Sequence, residues 1–263
     1  MQKPMFETAE QFPVLGLPVH LLDNYSNYLD DRLTKGLGSH VVTLNAEMAI
    51  QGERNPELAA VIKQAELVIP DGAGIIFYLR LHGKKKQRCP GIELAQSLLA
   101  KAGQYGESCP VFFFGAAPHV VQKTARVWQK RVPNLAIAGI SDGYLSAEAE
   151  EELKLTLKQQ QPKIILVGLG VPRQEFWIAQ NRHLCPQSIW IGVGGSFDIW
   201  SGAKTRAPAW FRNNNLEWLY RLYQEPHRWR RMMVLPQFAL KALGQRMMVL
   251  PKFALKALGQ RMA

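Results

Sequence analysis

Cysteine is scarce in this chain: Cys89, Cys109 and Cys185 are the three among 263 residues. They are too few and too scattered for a disulfide framework or a zinc site, and a reducing cytosol is the simplest compartment for them. Long apolar runs are missing as well. None approaches the roughly 18 residues that a membrane-spanning helix requires. The N-terminus lacks the basic segment and apolar run of a secretory leader, so none is expected. Two chemical signatures are also absent. Without GxxxxGK[ST] there is no P-loop, and without Asp-x-Asp no carboxylate pair to carry a divalent ion between phosphates. The six histidines are isolated from one another, so neither a metal nor a cofactor is expected.

Acidic residues run short in one region. The net charge is +11, and from Lys204 onward twelve Lys and Arg face only Glu217 and Glu225. A near-neutral body with a basic tail suits a polyanionic partner. Nucleic acid, anionic lipid and diphosphate substrates all qualify on charge.

What the chain does contain is alternation. Apolar β-branched runs at 41–44, 67–69, 111–114, 135–140, 164–167 and 189–193 are separated by segments of helical spacing, among them 46–65, 92–102, 118–131, 147–160 and 172–181. With a first strand at 14–20, that makes about seven strands. Strands that alternate with helices predict an α/β, Rossmann-like parallel sheet covered on both faces, and continuous apolar runs fit burial on both sides. We assign residues 1–195 to this domain and 196–263 to a basic, Trp-rich helical appendage. The appendage ends in a tandem 15-residue repeat, 232–246 and 247–261, with one difference, Gln237 against Lys252. Each copy is expected to start a short helix at its Pro and stop at its Gly. Such helices can lie in a membrane interface or dock on the body.

In a parallel sheet all strand carboxyl ends share one edge, where open α/β folds keep their ligands. Four such ends carry chemistry. Thr43 and Asn45 follow one strand, and Asp71 follows another, ahead of Gly72 and Gly74. Asp71 is either a catalytic base or a helix cap. The Gly168-Leu169-Gly170 turn offers backbone N–H groups to a phosphate at the start of a helix. There Gln174 is a hydrogen-bonding candidate, and Glu175 an acid, a base or a favourable first-turn charge. The fourth end is 192–198. Diphosphate charge would fall to Arg88, in the basic loop 83–91, and to tail arginines interleaved with aromatics: Arg206, Arg221, Arg228, Arg230 and Arg231.

Together these pieces resemble the WecG/TagA/CpsF glycosyltransferases of bacteria. The resemblance is carried by TLNAE (43–47), IPDGAG (69–74), RCPGIEL (88–94), FFFGAAP (112–118), GISDGY (139–144), VGLGVPRQEFWI (167–178), IGVGGSFDIWSGAKTRAPAW (191–210) and LEWLYRLYQEPHRWRR (216–231). It covers roughly 14–231, and the duplicated tail departs from the pattern. The resemblance implies a cytoplasmic enzyme, peripheral on the inner face of the cell membrane. Such an enzyme moves an N-acetylmannosamine-type sugar from UDP to N-acetylglucosamine linked through diphosphate to a polyprenol, with inversion and without a metal. It implies Asp71 as base, with Thr43, Asn45, Arg88 and Gln174 in the site. It also implies that the basic appendage completes the site at an anionic membrane surface. Self-association is left open. The competing readings are a basic-arm nucleic-acid-binding module and an NAD-dependent enzyme, the latter weakened by the missing third glycine of a dinucleotide fingerprint.

Overall fold

The computed structural model describes residues 9–259, and for 228, 230, 231 and 247–259 the backbone alone. It opens with β1 (Glu10–Val14) and β2 (Leu17–Leu21), then α1 (Tyr25–Thr34), β3 (Ser39–Leu44), α2 (Ala46–Arg54), α3 (Pro56–Gln64), β4 (Leu67–Pro70), α4 (Ala73–Leu81) and α5 (Gly91–Tyr105). There follow β5 (Val111–Gly115), α6 (Pro118–Arg131), β6 (Ile137–Ser141), α7 (Ala147–Gln160), β7 (Ile164–Gly168), α8 (Arg173–Asn181) and β8 (Ile189–Gly192). Beyond Gly195 the described elements are all helical: α9 (Ser196–Trp200), α10 (Ala209–Asn213), α11 (Glu217–Gln224), α12 (Trp229–Met232) and α13 (Val234–Gly259).

Six strands form one sheet in the order β4-β3-β8-β7-β5-β6, each pair parallel. Successive residues of a strand point to opposite faces, and β7 shows the result. Ile164 and Leu166 join a core with Leu29 of α1, Leu98 of α5 and Val121 of α6. Ile165 and Val167 join Leu157 of α7 and Ile178 of α8 on the other face. At the β3–β4 end that second face is covered by α2, α3 and α4, through Met48, Ile62 and Ile75. The α/β expectation holds, with helices on both faces of a parallel sheet.

Three local expectations are corrected. Residues 14–20 do not form one strand: β1 and β2 make a separate antiparallel hairpin, turning at Leu15 and Gly16, both at positive φ (49° and 80°). That is the backbone a two-residue hairpin needs, and Leu is an unusual residue to supply it. The strands therefore number eight among the described residues. The helix read as 46–65 breaks at Asn55, whose Oδ1 accepts from the Leu58 N–H at 3.1 Å and caps α3, with Pro56 in its first turn. Finally, the first copy of the tail repeat does not stop at Gly244: α13 runs without a break from Val234, ahead of Pro236, to Gly259. A helical glycine costs only about 1 kcal/mol relative to alanine, too little to end a helix that is held by packing. Phe238 and Ala242 provide that packing: both are buried, in the core shared with α2 and α4.

Candidate active site

The order β4-β3-β8-β7 brings four strand ends side by side, so residues far apart in sequence line one cleft of about 270 Å³. Its walls include Thr43, Asn45, Asp71, Gly91, Gly170 and Gln174 from the body, and Lys204, Glu217, Arg221 and Glu225 from the segment after it. That volume is just under the roughly 300 Å³ at which small-molecule pockets begin.

Asp71 sits where β4 ends. Its backbone N–H donates to Leu44 O at 2.8 Å, which ties it to β3. Gly72, at φ 88°, turns the chain sharply into α4, and that helix start has no side-chain cap. The Asp71 carboxylate instead accepts from the Gly91 N–H at 3.3 Å, at the first residue of α5. Burial pushes this carboxyl above the ordinary aspartate range. Arg88, the Gly91 amide and Arg221 pull it back, while the Glu217 carboxylate adds to the rise. Asp71 thus combines a place on the cleft wall with a raised proton affinity.

Thr43 and Asn45 flank it. The Thr43 hydroxyl donates to Gly192 O at 3.3 Å, joining β3 to β8. Asn45 caps α2, its Oδ1 accepting from the Met48 N–H at 3.0 Å, which leaves its amide NH₂ for the cleft. Gly91 fits against Thr43 with no room to spare: a Cβ there would lie 2.5 Å from the Thr43 methyl.

The glycine turn is occupied differently from expectation. Gly170 lines the cleft at φ 76°, but its N–H donates to Gln174 Oε1 at 3.2 Å, as does the Gly194 N–H at 3.1 Å. These amides are therefore not free for a phosphate. Gly168 is half-buried and does not line the cleft, and a Cβ there would stand 2.8 Å from the Phe197 ring. Glu175 is fully buried rather than open to a substrate. Its Oε1 accepts from Gln174 Nε2 at 2.9 Å, and its Oε2 lies 2.8 Å from His40 Nε2. A buried polar line thus runs from His40, at the start of β3, through Glu175 to Gln174. At its upper end it clamps both glycine turns that floor the cleft. The sequence reading missed His40. Its signal was an ionisable residue opening an otherwise apolar strand.

The arginines are not idle cations. Arg88 Nη2 meets Glu217 Oε2 at 3.0 Å, with both side chains mostly buried (13% and 12% exposed), and Arg221 Nη2 meets Glu217 Oε1 at 2.8 Å. Burial alone would raise Glu217, but Arg221 and Arg88 outweigh it and hold its carboxyl below the ordinary range. Arg206 turns to Glu93 at 2.6 Å, away from the cleft wall, with Arg212 3.6 Å from the same carboxylate. Lys204 meets Glu225 at 2.8 Å. The side chains of Arg228 and Arg231 lie outside the described residues. Cys89 is no nucleophile in waiting: burial first, then the Asp71 and Glu93 carboxylates, push its thiol up to about 12.

Residues 12–252 match the model of the glycosyl transferase WecG/TagA/CpsF family. The chain belongs to this family. A relative from Bacillus spizizenii, an N-acetylglucosaminyldiphosphoundecaprenol N-acetyl-beta-D-mannosaminyltransferase, is 41% identical over 219 residues, 83% of this chain and 82% of its own length. A protein of the same name from Bacillus subtilis (strain 168) is 34% identical over 227 residues, 84% of this chain and 86% of its own. This WecG/TagA/CpsF member is therefore a glycosyltransferase, and its cleft is the candidate site of glycosyl transfer. No described helix of the transferase is long and apolar enough to cross a membrane.

Proposed function

We propose that this enzyme moves an N-acetylmannosamine-type sugar from UDP to a polyprenyl-diphosphate-linked N-acetylglucosamine, with inversion and without a metal. The observation that carries the reading is Asp71: a desolvated carboxylate on the wall of a cleft, flanked by Arg88 and Arg221. The names of the two Bacillus relatives support the sugar and the acceptor. Inversion needs a single in-line displacement. As the acceptor hydroxyl attacks the anomeric carbon, its proton passes to Asp71 and the bond to UDP breaks. The leaving diphosphate gains charge, and preorganised cations lower the barrier by meeting it. Arg88 and Arg221 take that role once diphosphate displaces the Glu217 carboxylate between them. Thr43 and Asn45 position the sugar from the β3 end. Residues 196–263 act as an appendage that closes the cleft over a lipid-borne acceptor at the inner face of the cytoplasmic membrane.

The nucleic-acid reading is less favoured. Lys204, Arg206, Arg221 and Lys241 of the tail are ion-paired within the chain, which leaves less charge for a polyanion. The test is product formation from UDP-N-acetylmannosamine and a synthetic polyprenyl-diphosphate N-acetylglucosamine, in the presence of EDTA, with the anomeric configuration read by NMR. Asp71→Asn should keep UDP binding while turnover drops by about 10² or more. Near-normal turnover of that variant would reject the base assignment, and dependence on an added divalent ion would reject the metal-free one.

A further inference from the structure

The chain writes one 15-residue segment twice, and the first copy shows what the segment does. Phe238 and Ala242 are buried against α2 and α4, the Phe238 ring 6.1 Å from that of Tyr78. Lys241 Nζ meets Glu53 Oε2 at 2.6 Å, and the Tyr78 hydroxyl donates to Gln245 Oε1 at 2.6 Å. Arg54 Nη2 donates to Gln237 Oε1 at 3.0 Å. The second copy repeats four of these five residues, as Phe253, Ala257, Lys256 and Gln260. The fifth is Lys252, the single difference between the copies. It would set an ammonium where Gln237 now accepts from Arg54.

One helix cannot seat both copies at once. Fifteen residues advance about 22 Å along the axis and turn the equivalent face by about 60°. We propose that the α2–α4 groove is a docking site for either copy. In this account Arg54 selects the first by donating to Gln237 and repelling Lys252. The second copy is a resident competitor for the same groove, built of the same anchors and handicapped by one charge. When the first copy is weakened, the chain slips by one repeat and the second docks in its place.

The test disables the first copy with Phe238→Asp. In a chain ending at Arg246 the melting temperature should fall by about 10 °C or more, the loss expected for a core aromatic in a domain of this size. In the full chain the fall should be clearly smaller, and adding Phe253→Asp should restore the full loss. A direct readout covers the case in which the truncated variant does not fold. Zero-length carbodiimide cross-linking of the full chain, at dilution, should join Glu53 to Lys241 in the parent and to Lys256 in Phe238→Asp. Adding Lys252→Gln should increase the second cross-link. Equal destabilisation of long and short chains, or no Glu53–Lys256 cross-link in the variant, would overturn the proposal.

Discussion

At the scale of single residues the site is governed by carboxylates rather than by its better-advertised arginines. Asp71 has a proton affinity raised by burial, so it is charged only above a pH higher than the ordinary aspartate value of 3.8. A base must be ionised to work. The acid limb of kcat/KM should therefore fall off at a pH above that value, and Asp71→Asn should abolish the limb along with the turnover. Glu217 adds to the rise and also engages the two arginines that oppose it. Glu217→Gln should accordingly move the limb to lower pH, and pH–rate profiles of the pair decide this. Glu175 makes a different prediction. Removing its carboxylate as Glu175→Ala leaves His40 and Gln174 buried without their partner. That should cost about 3 kcal/mol in urea unfolding, and it should loosen the glycine turns enough to raise KM. Stability equal to the parent would show the buried line to be dispensable. Asp71 was legible in sequence because a strand end followed by glycines places it at the ligand edge. The fate of Glu175 was not. First-turn acids are usually solvated, and only the long-range meeting of β3 with α8 turns this one inward.

At the scale of elements, the parallel sheet was readable because doubly buried strands leave continuous apolar runs, as at Ile164–Gly168. The hairpin was hidden because its turn is Leu15-Gly16 rather than Asn-Gly. The break at Asn55 was written plainly as Asn-Pro, but the helical spacing on either side masked it. The helix α5 has a role beyond covering the sheet: its first residue, Gly91, donates to Asp71 and abuts Thr43. Gly91→Ala should push that helix end away from β3, because its Cβ would fall 2.5 Å from the Thr43 methyl. We expect kcat to drop at least tenfold with a smaller effect on melting temperature. Unchanged kcat would mean that the end of α5 does not position the base.

For the whole molecule, the sheet supplies one side of the cleft and the segment beyond Gly195 the other, through Lys204, Glu217, Arg221 and Glu225. A chain ending before Lys204 should lose most activity and its affinity for anionic vesicles, whereas loss of 247–263 should matter little, since Phe238 and Ala242 stay in place. Co-sedimentation with phosphatidylglycerol vesicles over a salt series checks the first, because attraction to a charged surface fades as the Debye length shortens. A short chain that stays fully active would place all the catalytic machinery in the sheet domain. The cooperation between the two parts was only half legible. Composition marked the tail as basic, but not that its two acids, Glu217 and Glu225, are ion-paired at the mouth of the cleft.

That pairing bears on life in a crowded cell. An empty entrance lined with naked guanidinium groups would be fouled by every free nucleotide, phosphate and RNA end around it. With Glu217 seated between Arg88 and Arg221 the resting entrance is electrically quiet. On the proposed reading a diphosphate must displace Glu217 to reach the two arginines, so that carboxylate sets a threshold against casual anions.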